Sequence, residues 1–382
     1  MNSAKSLQPG MTRRLLPFGP VLALFVALDG ALCWGATLED DFGAATPIQG
    51  VVTLSGSSTQ ATAQAGEPAH AGVAATHSLW AVWQAPTTGT YTITTSNSTF
   101  DTVLAVYSGS EMDKLALVTS NDDIDFQDLT SRVRFRAYAG ETFHVAVDGV
   151  GGARGAVQLN VLFGGRPMAS WSAYTPQGLS VPSSNFSSNR VLLVDFWETI
   201  CGACVDELPD LISLYRDYAS RGFNVLGFGI DANPATVQRF VMDHGTPYPI
   251  LIPSAGVRSV FILSEETFAV PTKFLVDQER QIVATYVGGH DPLSATYPYY
   301  ESEIAPLLRA PPALPLAIRW MEGEVLLSWP AAGLPYRLEA CSVLGGNWSP
   351  ASETVRTNEG RVEVTLPAGT AEQYFRLRAP LN

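Results

Sequence analysis

The 382-residue chain has only four cysteines, Cys33, Cys201, Cys204 and Cys341, and only five histidines, at positions 70, 77, 144, 244 and 290. One Cys-x-x-Cys pair offers two of the roughly four ligands a structural zinc ion needs, and scattered histidines do not complete the set, so no metal is expected. Haem attachment needs a histidine directly after the second cysteine, and that place is Val205. Basic residues are also few: 23 Lys and Arg stand against 36 Asp and Glu, a net charge of −13 with no basic run. This excludes non-specific binding to nucleic acid or to an anionic membrane surface. No glycine-rich dinucleotide fingerprint opens a helix, so no cofactor is expected. Apolar residues are not in short supply. At 46% they exclude wholesale disorder, and the length predicts two to four domains.

Residues 1–36 read as an export signal. Lys5, Arg13 and Arg14 precede the apolar Leu15–Leu32, and small residues follow at Gly35 and Ala36. Pro17, Pro20 and Asp29 interrupt the run, which is short for a membrane span. Met11 is an alternative start. Cleavage would remove Cys33 and place the chain in the periplasm or outside the cell, where a disulfide persists. Cys341 is then the odd cysteine, either buried and inert or pairing between chains.

From 37 to 164 the pattern is all-β. Tyr91–Thr95, Thr102–Tyr107, Val133–Tyr138, Thr142–Val147 and Val157–Leu162 are short strands separated by Gly, Asn, Asp and Ser. Their spacing predicts a β-sandwich. Asp101, Asn121, Asp122 and Asp123 carry the oxygen atoms that calcium takes, although a solvated turn is the preferred reading of Asn121–Asp123. Residues 164–190 read as a Gly-, Pro- and Ser-rich linker into a first short strand. The character changes at "VLLVDFW", a continuous apolar run of the kind a buried strand needs. Leu208, Leu211, Ile212 and Tyr215 follow at helical spacing, then "NVLGFGI", a helix through Val237 and Phe240 started at Asp231 or Asn233, strands "TKFLV" and "QIVATYV", and a closing helix "YESEIAPLLR". This predicts an α/β domain over 165–309. After the stiff "APPALP" hinge, residues 310–382 alternate with period two and predict a small β-sandwich. The fold class is therefore multidomain: β-sandwich, α/β domain, β-sandwich.

The two cysteines fall where a strand ends and a helix begins. Cys201 at a helix N-terminus would have its thiolate favoured by unpaired N–H groups and the macrodipole. Cys204, one turn on, lies within disulfide range and would resolve a mixed disulfide. The alternative is an inert structural disulfide, which over so short a loop would be a poor staple. Asp195 sits mid-strand in an apolar run, where burial raises a carboxyl pKa and suits it to accept a proton from Cys204. Its alternative is a charge met by a structural partner. Glu207, three residues after Cys204, is either a second acid beside the dithiol or an exposed helix residue.

"VLLVDFWETICGACVDELP" resembles the active-site segment of thioredoxin and of the TlpA/ResA group of exported thiol–disulfide oxidoreductases. The resemblance covers about 186–309. It implies a thioredoxin-like fold in which Cys201 and Cys204 form the redox disulfide. Trp197 would be the packing tryptophan upstream of the first cysteine and, with Ile200, would line the substrate-binding surface, and Pro209 would lie in the active-site helix. Val270 and Pro271 would form a cis-proline loop that holds an extended substrate. It also implies protein disulfide or dithiol substrates and a membrane thiol-transfer partner as electron donor. Ile200 stands where the family carries a tryptophan next to the sulfur, and Ala203 where it carries a proline. The lysine that thioredoxin pairs with the aspartate would fall at Gly227 and is missing there. The phrases "GEPAHAG", "SLWAVWQAPTTGTYTITT" and "FDTVLAVYSG" resemble the bacterial pre-peptidase C-terminal domain. That likeness implies a jelly-roll-like accessory module, open to a glycan or calcium contact. The third segment resembles fibronectin type III or immunoglobulin-like modules. Two rival functions are weighed. One is a redox-inert binding or adhesion protein that works through its β domains. The other is a peroxiredoxin-like peroxidase, against which the Pro-x-x-x-Thr-x-x-Cys pattern fails: Thr199 is one place off and the proline is absent.

Overall fold

The computed structural model describes residues 37–125, 127–261, 269–289, 296–311, 316–321, 324–330, 336–342, 348–351, 355–358, 361–367 and 374–378. The export-signal segment 1–36, His290 and most of the Pro-rich stretch 310–315 lie outside them.

The N-terminal strands are β1 (Pro47–Gln49), β2 (Val52–Ser57), β3 (Leu79–Gln84), β4 (Gly89–Thr94), β5 (Thr102–Ser108), β6 (Ala116–Asn121), β7 (Arg132–Ala137), β8 (Thr142–Gly149) and β9 (Ala156–Phe163). They form two sheets, in orders β1-β3-β8-β5-β6 and β2-β9-β4-β7. Alternate residues of both sheets meet in one core: Trp83, Leu104 and Phe143 from the first, Ile93, Phe135 and Leu159 from the second. Among the described residues no three acidic, histidine or cysteine side chains converge as a metal would require. Asn121 ends β6 and its amide oxygen accepts the Arg132 N–H, while the Asp122 carboxylate accepts the Asp123 N–H.

The central sheet contains β10 (Arg166–Pro167), β11 (Ser172–Tyr174), β12 (Ser180–Pro182), β13 (Val191–Trp197), β14 (Phe223–Gly229), β15 (Ile250–Pro253), β16 (Thr272–Asp277) and β17 (Gln281–Val287). Its order is β10-β17-β16-β13-β14-β15-β11-β12. β13 is parallel to β14 and antiparallel to β16, so it is hydrogen-bonded on both sides, and all seven of its residues are buried. The linker expected at 164–190 is instead largely part of this domain. Trp171, Ala173 and Phe186 pack into the core on one face of β13, with Leu192, Val194 and Phe196. These isolated apolar residues carry no periodicity, which is why they read as linker. The other face carries α1 (Gly202–Tyr218), α2 (Pro234–His244) and α4 (Thr296–Ile304), while α3 (Ala255–Phe261) joins the first. α2 starts at Asn233, whose side chain accepts the Ala235 N–H, and ends on Gly245 in the left-handed region. Pro306 ends the last helix early, and a 3₁₀ turn over Ala305–Leu308 follows.

The C-terminal strands are β18 (Ala317–Met321), β19 (Glu324–Pro330), β20 (Arg337–Cys341), β21 (Ser349–Pro350), β22 (Val355–Asn358), β23 (Arg361–Pro367) and β24 (Tyr374–Arg378). They form sheets β18-β19-β23-β22 and β21-β20-β24 around Leu327, Trp329 and Leu338. Cys341 is buried.

The first two sets of sheets are locked together by charge. β7 points Val133 and Phe135 into its own core, so Arg134 and Arg136 project from the opposite face. Arg134 Nη1 lies 2.7 Å from Glu303 of α4. Arg136 is bidentate to Glu279, at 2.8 and 2.7 Å. Arg309 returns the contact, donating to the Arg136 carbonyl at 2.7 Å and to both oxygens of Glu141. Removing one partner of a buried pair leaves a charge uncompensated in low dielectric. Glu303→Ala is therefore expected to cost about 3–5 kcal/mol. Arg134→Met with Glu303→Leu is expected to cost far less, because both charges leave together. Urea titrations of the full chain check this through midpoint shifts at constant slope.

Candidate active site

The geometry of β13 and α1 sets the site. β13 ends at Trp197, a three-residue loop follows, and Cys201 is the N-cap of α1 with extended backbone. Its sulfur accepts the Cys204 N–H at 3.2 Å. The two cysteines are joined as a disulfide with Cα atoms 5.2 Å apart. Cys201 is half-buried and Cys204 only 8% exposed, so Cys201 is the more accessible sulfur. α1 continues through Pro209. Ile200 is 88% exposed, an aliphatic surface in place of the family's aromatic one.

The peptide bond Val270–Pro271 is cis. Pro271 is buried, its carbonyl accepting the Gly288 N–H at 2.8 Å, and Val270 packs against the cluster that contains both cysteines. A Cβ at Gly289 would come within 2.7 Å of the Ala203 Cβ, so the end of β17 touches the first turn of α1. Ile200 and Ala203 thus flank the disulfide along the chain, Gly289 lies against Ala203, and Val270 packs on the same cluster. Trp197 does not belong to that surface. It is 5% exposed, and its ring packs on Phe240 at 4.9 Å, so it supports the loop from below and is no substrate contact.

Asp231 was legible only as a helix start. Its carboxylate accepts the Thr199 hydroxyl at 2.5 Å and the Thr199 N–H at 3.2 and 3.3 Å. These bonds fix the loop between Trp197 and Cys201 to the end of β14.

Beneath the cysteines lies a buried charge cluster. Alternation along β13 turns Asp195 to the same side as Leu193 and Trp197, toward Cys204 and Leu208 of α1. Glu207, one turn past Cys204, is 4% exposed and faces inward, so it is not an ordinary surface residue. Lys273 enters from β16, paired in register with Asp195. It is 1% exposed, forms an ion pair with Glu207, and lies 3.6 Å from Asp195 Oδ1. Tyr300 of α4 covers the ammonium, 5.7 Å from ring centroid to nitrogen. The lysine missing from Gly227 on one neighbouring strand is supplied by the other. Gly227 has no room for it: a Cβ there would strike the Ile250 side chain and come within 2.9 Å of Trp197 Nε1.

Burial pushes the Asp195 carboxyl above the usual carboxylate range. Lys273 opposes that shift and Glu207 adds to it. The folded state therefore keeps this proton over a range where the unfolded chain has lost it. Stability is whole below the ordinary carboxylate pKa and falls as pH rises toward the folded value. Asp195→Asn is expected to remove that fall. Its melting temperature should match the parent's in acid and exceed it increasingly toward neutral pH. A gap of constant size at all pH values would contradict this.

Residues 165–285 match the model of the AhpC/TSA family. These residues form an AhpC/TSA-family domain. The AhpC/TSA-family domain has relatives among thiol–disulfide proteins. The thiol-disulfide oxidoreductase ResA of Halalkalibacterium halodurans is 29% identical over 113 residues, covering 30% of this chain and 62% of that protein. The thiol:disulfide interchange protein HelX of Rhodobacter capsulatus is 30% identical over 115 residues, with the same two coverages. The chain thus spans about three fifths of the length of these relatives. A thiol:disulfide interchange protein of the thioredoxin family from Chlorobium tepidum aligns at 24% identity, with a TM-score of 0.31, over 33% of this chain and 88% of that one.

Proposed function

We propose that the chain is an exported thiol–disulfide oxidoreductase that reduces protein disulfides. The observation that carries this reading is the half-buried Cys201 at the start of α1, bonded to the buried Cys204 beside the Val270–Pro271 loop. In the dithiol form the Cys201 thiolate attacks one sulfur of a substrate disulfide. A mixed disulfide forms, and the first substrate thiolate leaves and takes a proton from water. Cys204 then gives its proton to Asp195, and its thiolate attacks Cys201 Sγ. The Cys201–Cys204 disulfide closes and the second substrate thiolate leaves, so two electrons have passed to the substrate. A dithiol protein partner, in this reading held in the membrane, returns the disulfide to the dithiol.

Val270 and Pro271 offer the backbone against which an extended substrate lies, and Ile200 gives it apolar contact. The N-terminal unit is read as a jelly-roll-like accessory sandwich and the C-terminal unit as a second sandwich. Both fit a protein that works in the periplasm or outside the cell. No described helix is long and apolar enough to cross a membrane. The family match also bears on peroxide reduction. Against that reading, the Thr199 hydroxyl is donated to Asp231 and is not available to polarise a peroxide.

The full chain with dithiothreitol as donor should reduce insulin, and Cys201→Ser should not. Cys204→Ser should accumulate a mixed disulfide with the substrate. Ile200→Asp should raise KM with little change in kcat, as expected for lost ground-state contact. Equal insulin reduction by the parent and Cys201→Ser, or peroxide consumption faster than insulin reduction, would overturn the proposal.

A further inference from the structure

Lysine is nearly absent from this protein: the chain has three, at positions 5, 114 and 273. Its other basic side chains are arginines, including those that lock β7 to the central unit. Lys114 is exposed, whereas Lys273 is almost completely enclosed. An ammonium is a compact charge with three rotatable donors, whereas a guanidinium is planar and presents a fixed fork. The two carboxylates around it are not treated alike. Glu207 takes the direct ion pair. Asp195 Oδ1 is left at 3.6 Å and buried without a hydrogen bond.

We propose that Lys273 is a positioning residue that divides the work between the two buried carboxylates: it engages Glu207 as a fixed ion pair and leaves Asp195 as the group that takes the proton of Cys204. This rests on the dithiol reading above and assigns its proton step. Two carboxylates and one ammonium in an enclosed site balance when one carboxylate holds a proton. The carboxylate held at the longer distance from the ammonium is the one that exchanges it. During resolution the proton moves from Cys204 Sγ to an Asp195 oxygen, the freed electron pair forms the bond to Cys201 Sγ, and Glu207 and Lys273 keep their charges. The other ionisable groups facing Asp195 are Tyr248, before β15, and Tyr300 of α4. Burial, and the negative charge of the cluster, push both phenols well up, so they remain neutral throughout.

The test is the pH profile of insulin reduction by the full chain, read at the limb where activity rises as the proton acceptor ionises. Asp195→Asn should remove that limb. Lys273→Met takes away the nearby positive charge, so the limb should move to higher pH by about 1–3 units. Glu207→Gln frees the ammonium to approach Asp195, so the limb should move the opposite way, to lower pH. A lysine that only held the fold together would lower the melting temperature and leave the limb in place. If Lys273→Met does not fold, the direction of the Glu207→Gln shift still decides. Loss of the limb in Glu207→Gln with its retention in Asp195→Asn would reverse the roles and overturn the assignment. Loss of the limb in Asp195→Asn alone, with neither other variant moving it, would overturn the role of Lys273 and leave the dithiol reading intact. A limb unaffected by all three would remove Asp195 from the reaction altogether.

Discussion

The structure depends on a strand that is hydrogen-bonded on both edges, covered on both faces, and still required to carry a carboxylate. β13 has no exposed residue, and Asp195 stands near its middle. Everything around it meets that constraint. The neighbouring strand on one side is closed to a cation because Ile250 and Trp197 fill the space over Gly227. The neighbour on the other side places Lys273 directly across the ladder. α1 then adds a second carboxylate one turn below Cys204, and α4 adds an aromatic cover. A charge buried in this way is costly unless paired, which is why the cluster recruits from four separate elements.

Much of this arrangement was legible in the residues themselves. The apolar run of β13, the cysteines at a strand–helix junction, and Val270–Pro271 ahead of another apolar strand are short-range patterns, and each sits where its pattern predicts. Asp195 was legible for the same reason, as a charge interrupting an otherwise apolar stretch. Lys273 carried an equal signal, a lysine inside "TKFLV", yet its partner can be identified only once the order β14-β13-β16 is known. Strand order is a long-range property, and a single sequence does not express it as a periodicity. The Thr199–Asp231 tie is hidden in the same way, because the acid lies at the end of a different strand. Short strands such as β10, β11 and β12 gave no pattern because two or three residues are too few to alternate.

The exposed surface and the buried cluster carry different kinds of specificity. Ile200, Val270 and the backbone around Pro271 offer shape and apolar contact with few directional groups. Beneath them the charges are fixed by packing and are out of reach of any substrate. In the function proposed above, recognition and proton handling are thus separated by the thickness of one helix turn.

The row of arginines on β7 has a wider consequence. Composition divides the chain near residue 164, and a reader of the sequence would cut it there into beads on a string. The side chains of Glu303, Glu279 and Arg309 ignore that cut, since each is completed by a group from the other side. α4, whose Tyr300 covers the ammonium below the dithiol, is thereby anchored from outside its own domain. In mechanical terms the N-terminal sheets are a splint for the domain that carries the Cys201–Cys204 disulfide, and transplanting the central segment without them removes the support of the helix that closes its charged core.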